Sequence, residues 1–123
     1  MNVRKILLLG AALLTCGAPV AQAGVLATPP VPNNIPTPGT LYCDIVNLNS
    51  SDKDVTTEIV DINGVVVAGP FSSTVPPFTG VAYQDFGSGG AWCRWTVEGS
   101  AKKYRGLAAF DNGSTYAITV PGY

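Results

Sequence analysis

The chain has 123 residues and a formal net charge of −1, and it contains no histidine. Because Ser-His-Asp triads, Cys-His nucleophiles and the usual zinc sites all need imidazole, the sequence excludes them, and we predict neither a metal nor another cofactor. The low charge also argues against a nucleic-acid partner, since that binding needs many contacts from Lys and Arg to phosphates.

Residues 1–23 have the composition of a secretory signal peptide. Arg4 and Lys5 precede an apolar run over 6–14, and small residues end the segment at Ala23. The apolar run is too short to span a bilayer, which favours a signal peptide over a membrane anchor. Cleavage after Ala23 would then remove it and leave a chain without a transmembrane segment. We therefore predict a secreted or periplasmic protein.

Cys16 offers a second interpretation of the same leader. The sequence Leu13-Leu14-Thr15-Cys16 resembles a bacterial lipoprotein signal, in which a cysteine after the apolar run is lipidated. Threonine is larger than the residue usual before such a cysteine, which favours cleavage after Ala23. The alternative location is thus a lipid anchor at the cell envelope through Cys16.

The next segment, residues 24–39, is rich in proline. Five prolines fall between Pro29 and Pro38. Proline removes a backbone donor and disfavours helix at the residue before it. We predict an extended linker here, followed by one folded domain over 40–123.

Beyond residue 39 the apolar residues alternate with a period of two, and turn residues interrupt them at short intervals. This pattern predicts strands and no amphipathic helix. The predicted strands are 40–48, 55–62, 65–71, 79–86, 91–98, 103–110 and 115–120. They indicate an all-β fold, a small two-layer antiparallel β-sandwich of immunoglobulin-like type with about seven strands.

Three connections can be predicted from their turn residues. Asn63-Gly64 predicts a type I′ turn between the second and third strands, because both of its central positions take a positive φ. Residues 111–114 predict a second hairpin, between the sixth and seventh strands. Pro76-Pro77 marks an interruption at which the chain crosses over or runs along an edge.

Cys43 and Cys93 are the cysteines that remain after cleavage at Ala23. An even number of cysteines in an exported chain predicts a disulfide between them, because export compartments are oxidising. The chain-entropy model assigns such a bond about 4 kcal/mol of stabilisation.

Both tryptophans flank Cys93 in the sequence GGAWCRWTV. Alternation places Cys93 and Trp95 on an inward face, where Trp95 belongs to the core, and Trp92 with Arg94 on an outward face. An outward indole can stack on a sugar ring or receive a partner's side chain. The alternative is that Trp92 covers the open end of the sandwich or lies beneath Arg94 in a cation–π contact.

The remaining candidate residues extend this outward surface. If the fifth and sixth strands pair, Arg94, Lys103 and Arg105 share one face and would suit an anionic glycan or an acidic protein. The alternative is a solvated strand whose charges discourage edge aggregation. The complete candidate binding surface comprises Trp92, Arg94, Lys103, Arg105, Tyr83 and Tyr104.

Three functional hypotheses follow, none of them enzymatic, since no spacing among the acidic residues identifies a catalytic pair. The leading one is an exported structural or protein-binding module on a proline-rich tether. The second is a carbohydrate-binding module that uses the face around Trp92. The third is a fimbrial-type assembly subunit, suggested by the alternating final segment over 113–123.

Overall fold

A computed structural model describes residues 23–30, 39–86, 90–111 and 115–121 of the chain. The strands are β1 (Ala23–Ala27), β2 (Thr40–Asn47), β3 (Lys53–Val60), β4 (Val66–Val75), β5 (Gly80–Phe86), β6 (Trp92–Glu98), β7 (Tyr104–Asp111) and β8 (Thr115–Pro121). A short 3-10 helix, Ala101–Lys103, joins β6 to β7. Residues 1–22 of the predicted leader, 31–38 of the predicted linker and 112–114 of the predicted turn lie outside the described residues.

The strands form two antiparallel sheets of four strands each. Sheet I has the order β1-β6-β3-β4, and sheet II has the order β5-β2-β7-β8. This confirms the predicted two-layer β-sandwich, and each of the seven predicted strands is found, as β2 to β8. Both predicted hairpin pairings, β3 with β4 and β7 with β8, are also present.

The core lies between the sheets because alternate side chains of each strand point inward. Trp95 of β6 is fully buried, as predicted. The backbone of Gly106 in β7 lies directly against its ring, and a Cβ atom at Gly106 would come within 2.6 Å of Trp95 Cζ3. The largest fully buried hydrophobic residues of the core are Trp95, Tyr104, Phe110, Leu41, Ile45, Ile59, Val75 and Val97.

The predicted disulfide is confirmed. Cys43 of β2 and Cys93 of β6 are bonded, with their Cα atoms 5.7 Å apart, and both are fully buried. Each of these strands is an interior strand of its own sheet. The bond therefore joins the two layers near the middle of the core.

Of the connections predicted from turn residues, the one at Pro76-Pro77 is confirmed and the turn type at Asn63-Gly64 is wrong. The chain leaves β4 in sheet I and enters β5 in sheet II through Pro76-Pro77, which confirms a crossover there. The β3–β4 turn is not type I′, because that turn needs a positive φ at both Asn63 and Gly64. Gly64 has a φ of +83°, but Asn63 does not have a positive φ, since Phe78 is the one described non-glycine residue that does. The hydrogen bonds Gly64 N to Asp61 O and Asp61 N to Val65 O instead close a three-residue loop that ends in a left-handed glycine.

Strand β1 was not predicted. Residues 24–27, at the start of the predicted linker, pair antiparallel with β6 and thus belong to the edge of sheet I. The sequence does not predict this strand, because the few residues between the leader and Pro29 are too few to show an alternating pattern. The proline ends the strand, since it cannot donate to a neighbouring strand.

Candidate functional site

The outward face of β6 carries the two residues that the sequence singled out first. Arg94 lies opposite Glu58 of β3, and Trp92 lies opposite Val60. Arg94 Nε and Nη2 donate to the two carboxylate oxygens of Glu58, each at 3.2 Å. The guanidinium carbon of Arg94 lies 5.7 Å from the centre of the Trp92 ring. The three side chains therefore form one ion-pair and cation–π row.

Trp92 is itself half-buried and bonded to the protein. Its Nε1 donates to the backbone oxygen of Asp61 at 3.1 Å, at the base of the β3–β4 hairpin. Val60, in register with Trp92 on the outward face, is fully buried. This geometry matches the alternative in which Trp92 lies beneath Arg94 in a cation–π contact, because its donor and one side of its ring already have partners.

The predicted basic face does not form. Its condition was pairing of the fifth and sixth predicted strands, but β6 lies in sheet I and β7 in sheet II. Arg94 faces outward from the first sheet, whereas Arg105 is exposed beside Val46 on the second. Lys103 is exposed in the 3-10 helix, and Arg105 Nη1 donates to the backbone oxygen of Lys102 at 3.1 Å. The two strand arginines are thus on opposite layers.

Tyr104 is fully buried and does not face solvent. Its hydroxyl donates to the backbone oxygen of Glu98, across the turn that contains the 3-10 helix. Burial, with a smaller effect of the Glu98 charge, raises the pKa of Tyr104 above its ordinary value. Tyr104 therefore fixes the β6–β7 connection from inside the core.

Tyr83 of β5 also points inward, since it lies in register with the inward Cys43 of β2. Its ring stacks on Phe71 of β4, with the ring centres 4.6 Å apart and the planes at 6°. Its hydroxyl shares a hydrogen bond with Ser73 Oγ. These contacts close one edge of the sandwich between β4 and β5. The six candidate residues consequently do not make one surface.

An apolar surface that the sequence did not reveal lies at the tip of the β3–β4 hairpin. Ile62 is 62% exposed, Val65 57% and Val67 48%, and Val66 is exposed as well. We call these four residues the apolar hairpin. The run Val65-Val66-Val67 resembles a core strand in sequence, so the pattern alone gave no sign that it faces solvent.

The fold explains why this tip is exposed. The pairing of β3 with β4 shifts register twice, between Thr57 and Ile59 and between Ile59 and Val60, because β4 has extra residues there, one within 69–70 and the other Val67. Gly69 has a φ of +92°, and a Cβ atom there would lie 2.7 Å from Thr57 O. Bulges bend and twist a strand. The half of β4 beyond the bulge contacts β5 through Phe71 and Tyr83, whereas the half that carries the valines is paired with β3 at the edge of sheet I.

Two shallow depressions lie on the outer faces. One, of about 320 Å³, runs between β3 and β4 and is lined by hydroxyl groups and by Asp54, which accepts from Thr74 Oγ1 at 2.8 Å. The other, of about 260 Å³, lies between β2 and β5 beside Asp44. Asp44 Oδ1 is buried without a hydrogen-bond partner, and burial raises the pKa of this carboxyl.

In the described ranges no three His, Cys, Asp or Glu side chains are grouped so that they could hold a metal ion. Likewise, the described part of the chain contains no helix of the length and apolarity needed to span a membrane.

Comparison with known proteins finds no matching family model, no matching curated protein and no matching solved structure.

Proposed function

We propose that this protein is an exported, non-enzymatic module that binds a protein partner through the apolar hairpin. The observation that carries the proposal is the exposure of four large apolar side chains, Ile62, Val65, Val66 and Val67, at one end of the sandwich. Soluble proteins rarely leave such side chains together in water unless another surface covers them. The signal-like leader and the disulfide support export, because disulfides persist in oxidising compartments.

The position of the hairpin favours a polypeptide partner. Strand β4 is the last strand of sheet I, so no strand of the described residues pairs with the outer side of its backbone. An extended peptide can add to such an edge through main-chain hydrogen bonds, while neighbouring apolar side chains fill its pockets. Trp92 lies at the base of the hairpin and holds it through the bond to Asp61 O.

Carbohydrate binding has less support from the same residues. Arg94 lies over the Trp92 ring, and Tyr83 and Tyr104 point into the sandwich instead of joining Trp92 on its outward face. Among the described residues a sugar would therefore find one partly covered indole there, without Tyr83 or Tyr104 as a second aromatic platform. A protein partner requires no such platform.

Photo-crosslinking tests the proposal. A photoreactive amino acid at position 65 of the full exported chain should crosslink to a polypeptide of the exported fraction, whereas the same group at Lys102, exposed at the opposite end, should not. The double substitution I62S/V67S should abolish the crosslink. Phe78→Asn, which also replaces a large side chain that is 69% exposed, should retain it.

Two results would overturn the proposal. One is the absence of any crosslink from position 65, and the other is a crosslink that the hairpin substitutions leave unchanged. Binding of a glycan array by the wild type, lost in Trp92→Ala, would instead support the carbohydrate hypothesis.

A further inference from the structure

Strand β1 is attached to the sandwich through a small set of neighbours. It pairs with β6 along its whole length, from Ala23 opposite Glu98 to Ala27 opposite Arg94, and it packs against the 3-10 helix. The next strand along the chain, β2, lies inside the other sheet. The pairing that holds β1 therefore does not depend on the strand that follows it, and a β1 from another copy could make the same contacts.

The edge of β6 is shaped for this particular segment. Leu26 is 3% exposed and enters the core. Thr28 N donates to Cys93 O at 2.9 Å, and Cys93 N donates to Thr28 Oγ1 at 2.9 Å. A Cβ atom at Gly24 would lie 2.8 Å from Ala101 N and 2.9 Å from Gly99 O. Glycine, leucine and threonine at alternate positions thus fill one continuous site.

The connection after β1 favours release from its own domain. Half of residues 29–38 are proline. Proline-rich segments prefer an extended form that rises about 3.1 Å per residue, so ten such residues reach roughly 30 Å. Packed sheets are only about 10 Å apart. Proline stiffens a segment of this composition, so turning it back over so short a span restricts it, which favours a route to a second molecule.

We propose that β1 is exchanged between copies, so that residues 24–28 of one molecule occupy the β6 edge of another. This exchange is separate from binding at the apolar hairpin. It rests on the proposed export in one respect, because removal of the leader would make Gly24 a free end that can enter the site. Since the acceptor contacts are the same in both arrangements, the proline-rich connection and the protein concentration decide between them.

A cysteine pair across β1 and β6 tests the exchange. Val25 and Thr96 are directly opposed in the register, and opposed residues of antiparallel strands have Cα atoms about 4.5–5.5 Å apart, which suits a disulfide. The V25C/T96C variant of the mature chain is oxidised and run on a non-reducing gel. Exchange gives covalent dimers or longer species, and a mixture with isotope-labelled chain gives species of mixed mass.

Matched substitutions separate exchange from random crosslinking. Gly24→Val, which places a side chain against Ala101 and Gly99, should remove the covalent dimers, whereas Ala27→Val at an exposed position should keep them.

The proposal would be overturned if V25C/T96C were exclusively monomeric and internally crosslinked at every concentration. If that variant does not fold, light scattering on the wild type serves the same purpose. Dimers that Gly24→Val abolishes support exchange, and a wild type that stays monomeric refutes it.

The two proposals can fail separately. The I62S/V67S substitutions do not alter β1 or its acceptor, so they should leave the covalent dimers of V25C/T96C unchanged. Gly24→Val should in turn leave the crosslink from position 65 in place.

Discussion

The six-membered ring of Trp95 lies so close to Gly106 that a Cβ atom on the glycine would come within 2.6 Å of Cζ3. Trp95 belongs to β6 of one sheet and Gly106 to β7 of the other, so this contact sets how closely the layers approach at that point. The glycine is required here for space, since any side chain would push the sheets apart or rotate the indole.

Gly106→Ala should therefore destabilise the protein by about 1–3 kcal/mol, the usual cost of overpacking a core. Urea unfolding measures the change. In a Trp95→Phe background the added methyl group has more room, so the same substitution should cost less there, and the double-mutant cycle should give a coupling energy. Equal costs in both backgrounds would show that the two residues do not limit each other.

How far the sequence predicted this fold depended on how local each signal was. Alternation is a property of a single strand, and it located β2 to β8. It does not tell which sheet a strand joins, because β6 and β7 alternate in the same way whether they pair or lie in opposite layers. The expected basic face with Arg94 and Arg105 depended on that missing information and was wrong.

The candidate site shows the same limit. Sequence correctly separated inward Trp95 from outward Trp92, because adjacent residues of a strand face opposite ways. The apolar hairpin was missed because exposure at a strand edge depends on the bulge at Gly69 and on the end position of β4 in its sheet. Both are products of the tertiary arrangement.

Asp44→Asn should stabilise the protein at neutral pH. Burial raises the pKa of the Asp44 carboxyl above its ordinary value of 3.8, so the folded state binds this proton more tightly than the unfolded chain does. The corresponding contribution to stability is present below pH 3.8 and is lost as the pH rises through the raised pKa. Asparagine carries no charge at any pH and avoids that loss.

Unfolding in urea at about pH 3 and about pH 7 measures this difference. We expect Asp44→Asn to exceed the wild type at the higher pH and to approach it at the lower one. Asp52→Asn, which removes an exposed carboxylate from the β2–β3 loop, is the matched control. A stability gain of the same size at both pH values would contradict the role of ionisation.

Replacing both bonded cysteines, C43A/C93A, should lower the free energy of unfolding. The bond closes a loop with a sequence separation of 50, for which the chain-entropy model gives about 4 kcal/mol. Chemical denaturation with and without a reductant measures the loss. The reductant should affect the wild type and leave the alanine variant unchanged, and an unaltered unfolding midpoint in C43A/C93A would refute the assigned role.

The direction of β1 gives the sandwich two different poles. Ala23 lies opposite Glu98, whereas Trp92 at the other end of β6 adjoins the base of the apolar hairpin. Seven residues of extended strand at about 3.3 Å each separate these poles by roughly 20 Å. The first residue of β1 therefore lies at one pole of the sandwich, and the apolar hairpin lies at the other.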